Sequence, residues 1–248
     1  MQSMSQLLTS HVPTTLDPHT AAEADALLDE FGKIYPAYQH GAANQHIAWL
    51  ERVESIDQDA AIEFLCAWWG FSYMTPRLLL RVGSNFEEQA ERKFIMMNYI
   101  EEDGFAHEGD DTHHVLLQKL IQSMGGEVRH IPWAEEMVRA DFFDRTAVVS
   151  PAFAAGVLSA FEHPALDITR LIELVVEKSG HAELLGVDPY LTIHTTVEPS
   201  HIVWAHGASK RWIERGHRAE VEAGFRMVME FWVKFWGRVV AGLQMPMA

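Results

Sequence analysis

Apolar residues recur every three or four positions along almost every long segment of this chain, and runs that alternate apolar with polar residues are scarce. The first spacing places apolar side chains on one face of an α-helix, whereas strict alternation is typical of a half-buried β-strand. The sequence therefore predicts an all-α protein. The predicted helical segments are residues 20–31, 45–53, 57–81, 85–102, 113–124, 133–141, 150–162, 167–178, a helix from 188 that contains 194–201, and 209–243.

The length of the chain and its uniform character predict a single domain. A chain of 248 residues can bury a full hydrophobic core. We find no internal repeat, no low-complexity tract and no linker that would divide the sequence. We therefore expect one helical domain over residues 1–248, with a flexible N-terminus over about residues 1–18.

The charge of the chain argues against nucleic acid as a partner. Its formal net charge is −16, and no run of Lys and Arg residues occurs anywhere. Binding to the phosphate backbone needs a basic patch, so we expect no nucleic-acid partner.

Cysteine usage and hydropathy indicate a cytoplasmic protein. The one cysteine, Cys66, excludes an intramolecular disulfide and a cysteine-based metal cluster. A secretory signal has a positively charged segment followed by an apolar one, and the first thirty residues lack this pattern. The most apolar segment, residues 225–240, carries four charged side chains and is too short to cross a bilayer.

Residues 194–201 carry two histidines and a glutamate at helical spacing. His194, Glu198 and His201 lie at offsets of 0, 4 and 7, which place all three side chains on one face of an α-helix. Imidazole and carboxylate ligands suit Fe, Zn and Mn. The alternative is a solvated or purely structural helix face, and the spacing is not that of the H-E-x-x-H metalloproteases.

Two other stretches carry acids where a metal site could use them. Glu162 ends an almost wholly apolar run over residues 152–161, so a buried, ionised carboxylate there would need a partner or a metal. Residues 98–104 contain Glu101 and Glu102 and are followed by His107, His113 and His114. Taken alone, this second stretch is more typical of a solvated helix end with a polar loop.

In this order the stretches resemble the haem-oxygenase-like di-iron oxidases and oxygenases, a family related in fold to thiaminase II and pyrroloquinoline quinone synthase. The family pattern has an N-[LI]-x-[DE]-E-x-G turn, a histidine that opens a helix, a buried glutamate and an H-x-x-x-D-x-x-H helix. Residues 98–104, 113–125, 161–164 and 188–201 match these elements in sequence. The resemblance covers roughly residues 95–205 and implies a haem-oxygenase-like helical bundle.

The resemblance also implies a set of metal ligands. Carried over by position, they are Glu102, His113, Glu162, His194, Glu198 and His201. Glu101 is an alternative to Glu102, and His107 and His114 are alternatives to His113. The family usually has Asp where this chain has Glu198, and Pro199 is expected to loosen the turn that precedes it.

The resemblance implies two Fe²⁺ ions per chain, O₂ as co-substrate and the oxidation of a small molecule: an amine, an amino-acid derivative or a fatty acid. A homodimer and an external electron donor are expected partners, and biosynthesis of specialised metabolites is the expected context. A substrate pocket would draw on Trp68, Trp69, Tyr73, Phe161 and Trp204, although such aromatic residues usually form core.

Two other functions remain open from the sequence. The first is a metal-free enzyme similar to thiaminase II or pyrroloquinoline quinone synthase, although thiaminase chemistry calls for a cysteine late in the chain and Cys66 lies early. The second is a non-enzymatic helical module with a C-terminal apolar stripe that forms a partner surface or, alternatively, bundle core. The stripe consists of Phe225, Val228, Met229, Trp232 and Trp236.

Overall fold

The computed structural model describes residues 42–104 and 111–244, together with Ala22, Ala26 and residues 29–33. These residues contain helices and no β-strand, which confirms the all-α prediction for this part of the chain. The expected flexible N-terminus lies outside the described residues. From residue 42 onwards the described part has nine α-helices: α1 (Ala42–Leu50), α2 (Gln58–Gly83), α3 (Gln89–Glu102), α4 (His113–Ser123), α5 (Pro132–Met137), α6 (Pro151–Glu162), α7 (Ala165–Lys178), α8 (Pro189–Glu214) and α9 (Arg218–Gln244).

Helices α6 and α8 begin where their sequence signals predict. The Ser150 hydroxyl accepts a hydrogen bond from the Phe153 amide at 3.2 Å, and the Asp188 carboxylate accepts one from the Tyr190 amide at 2.9 Å. In both cases a proline follows the cap, where its missing N–H costs nothing. Helix α8 runs unbroken through Pro199 to Glu214.

The predicted last segment, residues 209–243, is wrong as a single helix. Helix α8 continues to Glu214, and α9 begins at Arg218 after a break. Gly216 has a φ of 92° in this break, a left-handed conformation that glycine adopts without strain and that ends helices. The helical pattern on both sides masked this stop signal.

Two glycines allow α6 to cross α9 at close range. A Cβ atom on Gly156 would lie 2.0 Å from the Val221 carbonyl oxygen, and one on Gly224 would lie 2.2 Å from the Phe153 carbonyl oxygen. These distances are far below van der Waals contact, so no side chain fits at either position. Helix α6 also packs against α8 and α2, so its last residue, Glu162, lies inside the bundle.

The C-terminal apolar stripe is core. Phe225, Val228, Met229, Trp232 and Trp236 are each no more than 1% exposed, because they are covered by the same chain. The interpretation of this stripe as a partner surface is therefore wrong. Among the described helices, none has an apolar stretch long enough to cross a membrane.

Candidate metal site and adjoining cavities

Four helices bring the predicted acids and histidines together inside the bundle. Glu101 and Glu102 end α3, His113 opens α4, and Glu162 ends α6. The residues on α8 are His194, Glu198 and His201, which share one face of that helix, as their spacing predicts. All six residues of the predicted ligand set are thus close to one another in the described structure.

One part of the site is a group of two acids and a histidine that we call the carboxylate cluster: Glu162, Glu198 and His201. Each offers one ligand atom, and these atoms lie within 4.8 Å of one another. His201 Nδ1 is 3.7 Å from Glu198 Oε2 and 3.9 Å from Glu162 Oε2. All three residues are buried, and a group of this composition could hold a metal ion.

The other part of the site contains Glu102, His113 and His194. His113 Nδ1 lies 3.1 Å from Glu102 Oε2, yet neither ring nitrogen of His113 makes a hydrogen bond. The His113 and His194 rings have centroids 4.9 Å apart. His194 Nδ1 donates a hydrogen bond to the Tyr190 carbonyl oxygen at 2.7 Å, which leaves Nε2 as the acceptor. Such a bond fixes the tautomer and the orientation of histidine ligands in metal sites.

The pKa values of the acids and histidines show how strongly they interact. The pKa of Glu162 is raised to about 8, chiefly by burial and also by the nearby carboxylates of Glu198 and Glu102, against the opposing effect of His201. Burial alone would lower the pKa of His201, but the hydrogen bond to Glu101 and the contact with Glu198 hold it well above its usual value. In the metal-free protein, protons on Glu162 and His201 therefore reduce the negative charge of this group. A bound cation would compensate the same carboxylates.

Glu101 and Glu102, between which the sequence could not choose, have different partners. Glu102 faces His113, whereas Glu101 Oε2 accepts a hydrogen bond from His201 Nε2 at 2.8 Å. The ring of His201 therefore lies between Glu101 on one side and the other two members of the carboxylate cluster on the other. A carboxylate in the place of Glu101 orients a histidine ligand without holding the metal.

The alternatives to His113 lie elsewhere. The ring of His114 contacts the Thr112 hydroxyl at 3.0 Å and packs edge-on against Tyr73, with centroids 5.4 Å apart. His107 lies outside the described residues. Cys66, which a thiaminase-like mechanism would need, is fully buried against the backbone of Glu127 and Arg129.

Asn98 is the first residue of the motif over residues 98–104, but the sequence predicted no role for it. Its side chain is 2% exposed, and its Nδ2 donates a hydrogen bond to Glu162 Oε1 at 2.9 Å. Tyr190 was also missed: its hydroxyl accepts a hydrogen bond from Trp68 Nε1 at 2.5 Å, beside the His194 ring. Asn98 lies one helical turn before Glu101 and Glu102. This position in the sequence was the one signal that could have pointed to a role for Asn98 at the site.

A narrow inner cavity of about 50 Å³ adjoins the site. Trp68 and Phe161 line it, as the sequence predicts, but Trp69 and Tyr73 do not, because they stack on each other beside His114. The cavity is mainly apolar. Its lining residues are Trp68, Phe71, Ser72, Thr75, Glu102, Phe161, Glu162, Ala165, Ile168, Thr169, Ile172, Tyr190, Leu191, His194, Glu198 and Trp232.

A wider groove of about 390 Å³ lies between α3 and α8 and also reaches the site. We call it the α3–α8 groove. Trp204, the fifth predicted pocket residue, lines this groove and not the inner cavity. The groove is lined by Ala90, Lys93, Phe94, Met97, Asn98, Glu101, Val197, Ser200, His201 and Trp204.

The turn after α6 makes another polar contact with α8, which we call the histidine pair: His163 and His206. His163 Nδ1 lies 3.1 Å from His206 Nε2, and the His206 ring stacks on Phe31 with centroids 4.3 Å apart. Burial lowers the pKa of His163 to about 4, and burial together with His163 lowers the pKa of His206 well below its usual value. Both rings are therefore neutral at pH 7.

The comparison with solved structures shows the fold. A CADD-like protein of unknown function from Nostoc punctiforme, solved at 2.00 Å and 1.35 Å resolution, superimposes with TM-scores of 0.67 and 0.66. Those two structures share 16% and 15% identity with this chain, and the matches cover 92% and 94% of it and 99% and 100% of the other chain. A domain of unknown function with a heme oxygenase-like fold from Shewanella denitrificans matches with a TM-score of 0.60 and 12% identity, over 98% of this chain and 94% of that one.

No family model matches the sequence, and no curated protein resembles it closely enough to match. These three structural matches, each below 20% identity, define the fold alone. The protein thus has a haem-oxygenase-like helical fold, as the sequence predicts. This fold is compatible with a di-iron protein, and its buried carboxylate cluster could bind a metal.

Proposed function

We propose that this protein is a non-haem di-iron oxidase or oxygenase that uses O₂ to oxidise a small molecule. One observation carries the proposal: three acids and three histidines from four different helices meet inside the helical bundle. Burying several carboxylates together is costly unless cations compensate them. Carboxylates and histidines that project inward from facing helices are typical of dinuclear iron sites in helical bundles.

The proposed ligands form two sets. Glu102, His113 and His194 would hold one iron ion. The carboxylate cluster would hold the other. Two ring atoms support this assignment. His113 Nε2 is buried without a hydrogen bond, which is otherwise unfavourable, and the bond from His194 Nδ1 leaves His194 Nε2 as the acceptor.

Iron bound at these residues would reduce O₂ and supply the oxidising power for the substrate. Residues around the ligands would set their orientation: Asn98 holds Glu162, Glu101 holds His201, and the Tyr190 carbonyl holds His194. Apolar side chains such as Trp68 and Phe71 would keep bulk water away from the reacting atoms.

The remaining expectations belong to the same proposal. We expect a soluble cytoplasmic enzyme, which agrees with the acidic composition and the single buried cysteine. We also expect an external electron donor. A homodimer is still expected, but its interface would have to use surfaces other than the C-terminal stripe, which is core.

Iron content tests the proposal directly. Anaerobic loading with ferrous iron, followed by desalting and metal analysis, should give about two Fe per chain. His194→Ala and His201→Ala should each remove at least one of them, because each takes a ligand from a different set. His217→Ala, at an exposed histidine, is the matched control and should keep both. A wild-type protein that retains no iron would overturn the proposal.

A further inference from the structure

Two cavities of very different size border the candidate metal site. The inner cavity, at about 50 Å³, has room for a few molecules of the size of water, since a cavity needs roughly 10–15 Å³ to hold one water. The α3–α8 groove, at about 390 Å³, lies within the range of small-molecule sites, which begins at roughly 300 Å³. Volume alone therefore favours the groove as the place where an organic molecule binds.

We propose that the α3–α8 groove binds an organic amine, with its ammonium group against Asn98 and Glu101 and its apolar body on Phe94 and Trp204. This makes the groove the substrate site of the proposed enzyme, and in that respect it rests on the proposed function. The binding itself requires no metal.

Two residues that line the inner end of the groove, Asn98 and Glu101, each carry a hydrogen-bond acceptor that lacks a donor. The Asn98 amide donates to Glu162 through Nδ2, while its Oδ1 is buried without any partner. Glu101 uses Oε2 to accept from His201, and no hydrogen bond from the described residues reaches its Oε1. A buried acceptor without a donor, such as Asn98 Oδ1, is unfavourable. A ligand that supplies N–H groups would relieve this cost, and an ammonium group supplies three.

The walls of the groove suit an apolar body attached to that ammonium group. The Phe94 and Trp204 rings stack with centroids 3.6 Å apart and an interplanar angle of 10°, and Met97 and Val197 add apolar surface. Aromatic faces also attract organic cations.

The charge of the groove opposes an anionic ligand. Among the residues that line it, Lys93 is exposed, and the His201 ring at the inner end already faces the carboxylates of Glu101, Glu162 and Glu198. An exposed ion pair contributes little to binding, so Lys93 would not compensate a carboxylate placed against Glu101. The net charge of −16 also favours the approach of cations.

Calorimetry on the metal-free, full-length protein at pH 7 tests this inference with three probes of similar size: 2-phenylethylamine, 2-phenylethanol and 3-phenylpropanoate. The amine should bind, and the alcohol and the acid should each bind about tenfold more weakly or worse. Met97→Trp, which fills the groove, should weaken amine binding by about tenfold. Its matched control is Met96→Trp at the neighbouring residue, which is 45% exposed and should bind as the wild type does.

Ser200→Leu on the α8 side of the groove repeats the test if Met97→Trp fails to fold, with Thr195→Leu, an exposed position of the same helix, as its control. The inference is overturned if the acid binds as tightly as the amine, if the groove-filling variants bind like their controls, or if no probe binds at about 10 mM. Amine binding by a chain that holds no iron would leave the groove assignment standing and remove the proposed di-iron function.

Discussion

Two of the polar contacts made with helix α8 at the end of helix α6 use neighbouring residues for opposite purposes. Glu162 and His163 are consecutive, yet Glu162 belongs to the carboxylate cluster with His201, whereas His163 faces His206. The pKa of His201 is raised well above its usual value, and that of His206 is lowered well below it. Two buried histidines, five residues apart on one helix, are thus driven toward opposite charge states.

The neighbours of each ring explain the difference. His201 contacts Glu101 and lies near two further carboxylates, so its cationic form is favoured in spite of burial. The described contacts of His206 are Phe31, His163 and Phe225, and these offer no compensating negative charge. Burial of a histidine therefore does not by itself indicate a ligand, whereas burial next to several acids does.

Glu162→Gln should produce the largest effect, because it removes a proposed ligand and leaves the fold intact. With its pKa near 8, Glu162 is largely protonated at pH 7 in the metal-free protein, and a glutamine side chain resembles that neutral acid. The stability of the metal-free variant at pH 7 should therefore match that of the wild type. Ferrous iron at a thousandfold excess over its Kd should stabilise the wild type by about 4 kcal/mol, or about 10 °C in Tm.

The variant should lose most of this iron-dependent shift in Tm, measured anaerobically by thermal unfolding. His206→Gln, which changes the other contact between the same helices, should keep it. An equal loss in both variants would mean that the two contacts do not differ in function.

His206→Gln should have an intermediate effect, visible only in acid. A histidine whose pKa is lowered by folding contributes stability that is present above the unfolded pKa of about 6.5 and is lost as the pH falls. The wild type should therefore lose stability between pH 7 and pH 5. In the variant, this loss, measured by urea unfolding at both pH values, should be smaller by at most about 2 kcal/mol. An identical pH dependence in the two proteins would contradict the neutral state assigned to His206.

Ser159→Ala should have the smallest effect and tests whether the remainder of the α6–α8 contact is structural. The Ser159 hydroxyl donates to the Ala205 carbonyl oxygen at 2.9 Å and lies 2.6 Å from the Ser209 hydroxyl. Removing it leaves Ser209 without this buried partner, so the free energy of unfolding should fall by about 1 kcal/mol. Iron content should not change, and a variant that lost iron would extend the functional site to this part of the contact.

Much of the fold and part of the site could be predicted from local signals. The Ser-Pro and Asp-Pro starts of α6 and α8 and the spacing of His194, Glu198 and His201 depend on a few consecutive residues and on fixed helix geometry. The break at Gly216 was missed because periodicity continues on both sides of it. The choice between Glu101 and Glu102 could not be made, since neighbouring residues at a helix end point in different directions and their partners lie on other helices.

The sequence by itself determined that the chain is helical, where its site helices begin, and which side chains on α8 share a face, because each of these follows from contacts within a few turns. The tertiary structure alone decided that Glu162 meets His201 while His163 meets His206, that Asn98 holds Glu162, and that a wide groove lined by Phe94 and Trp204 reaches the site. These features depend on the close crossing of α6 with α9 and on the packing of α3 against α8. Such contacts join residues far apart in the chain, so no local pattern encodes them.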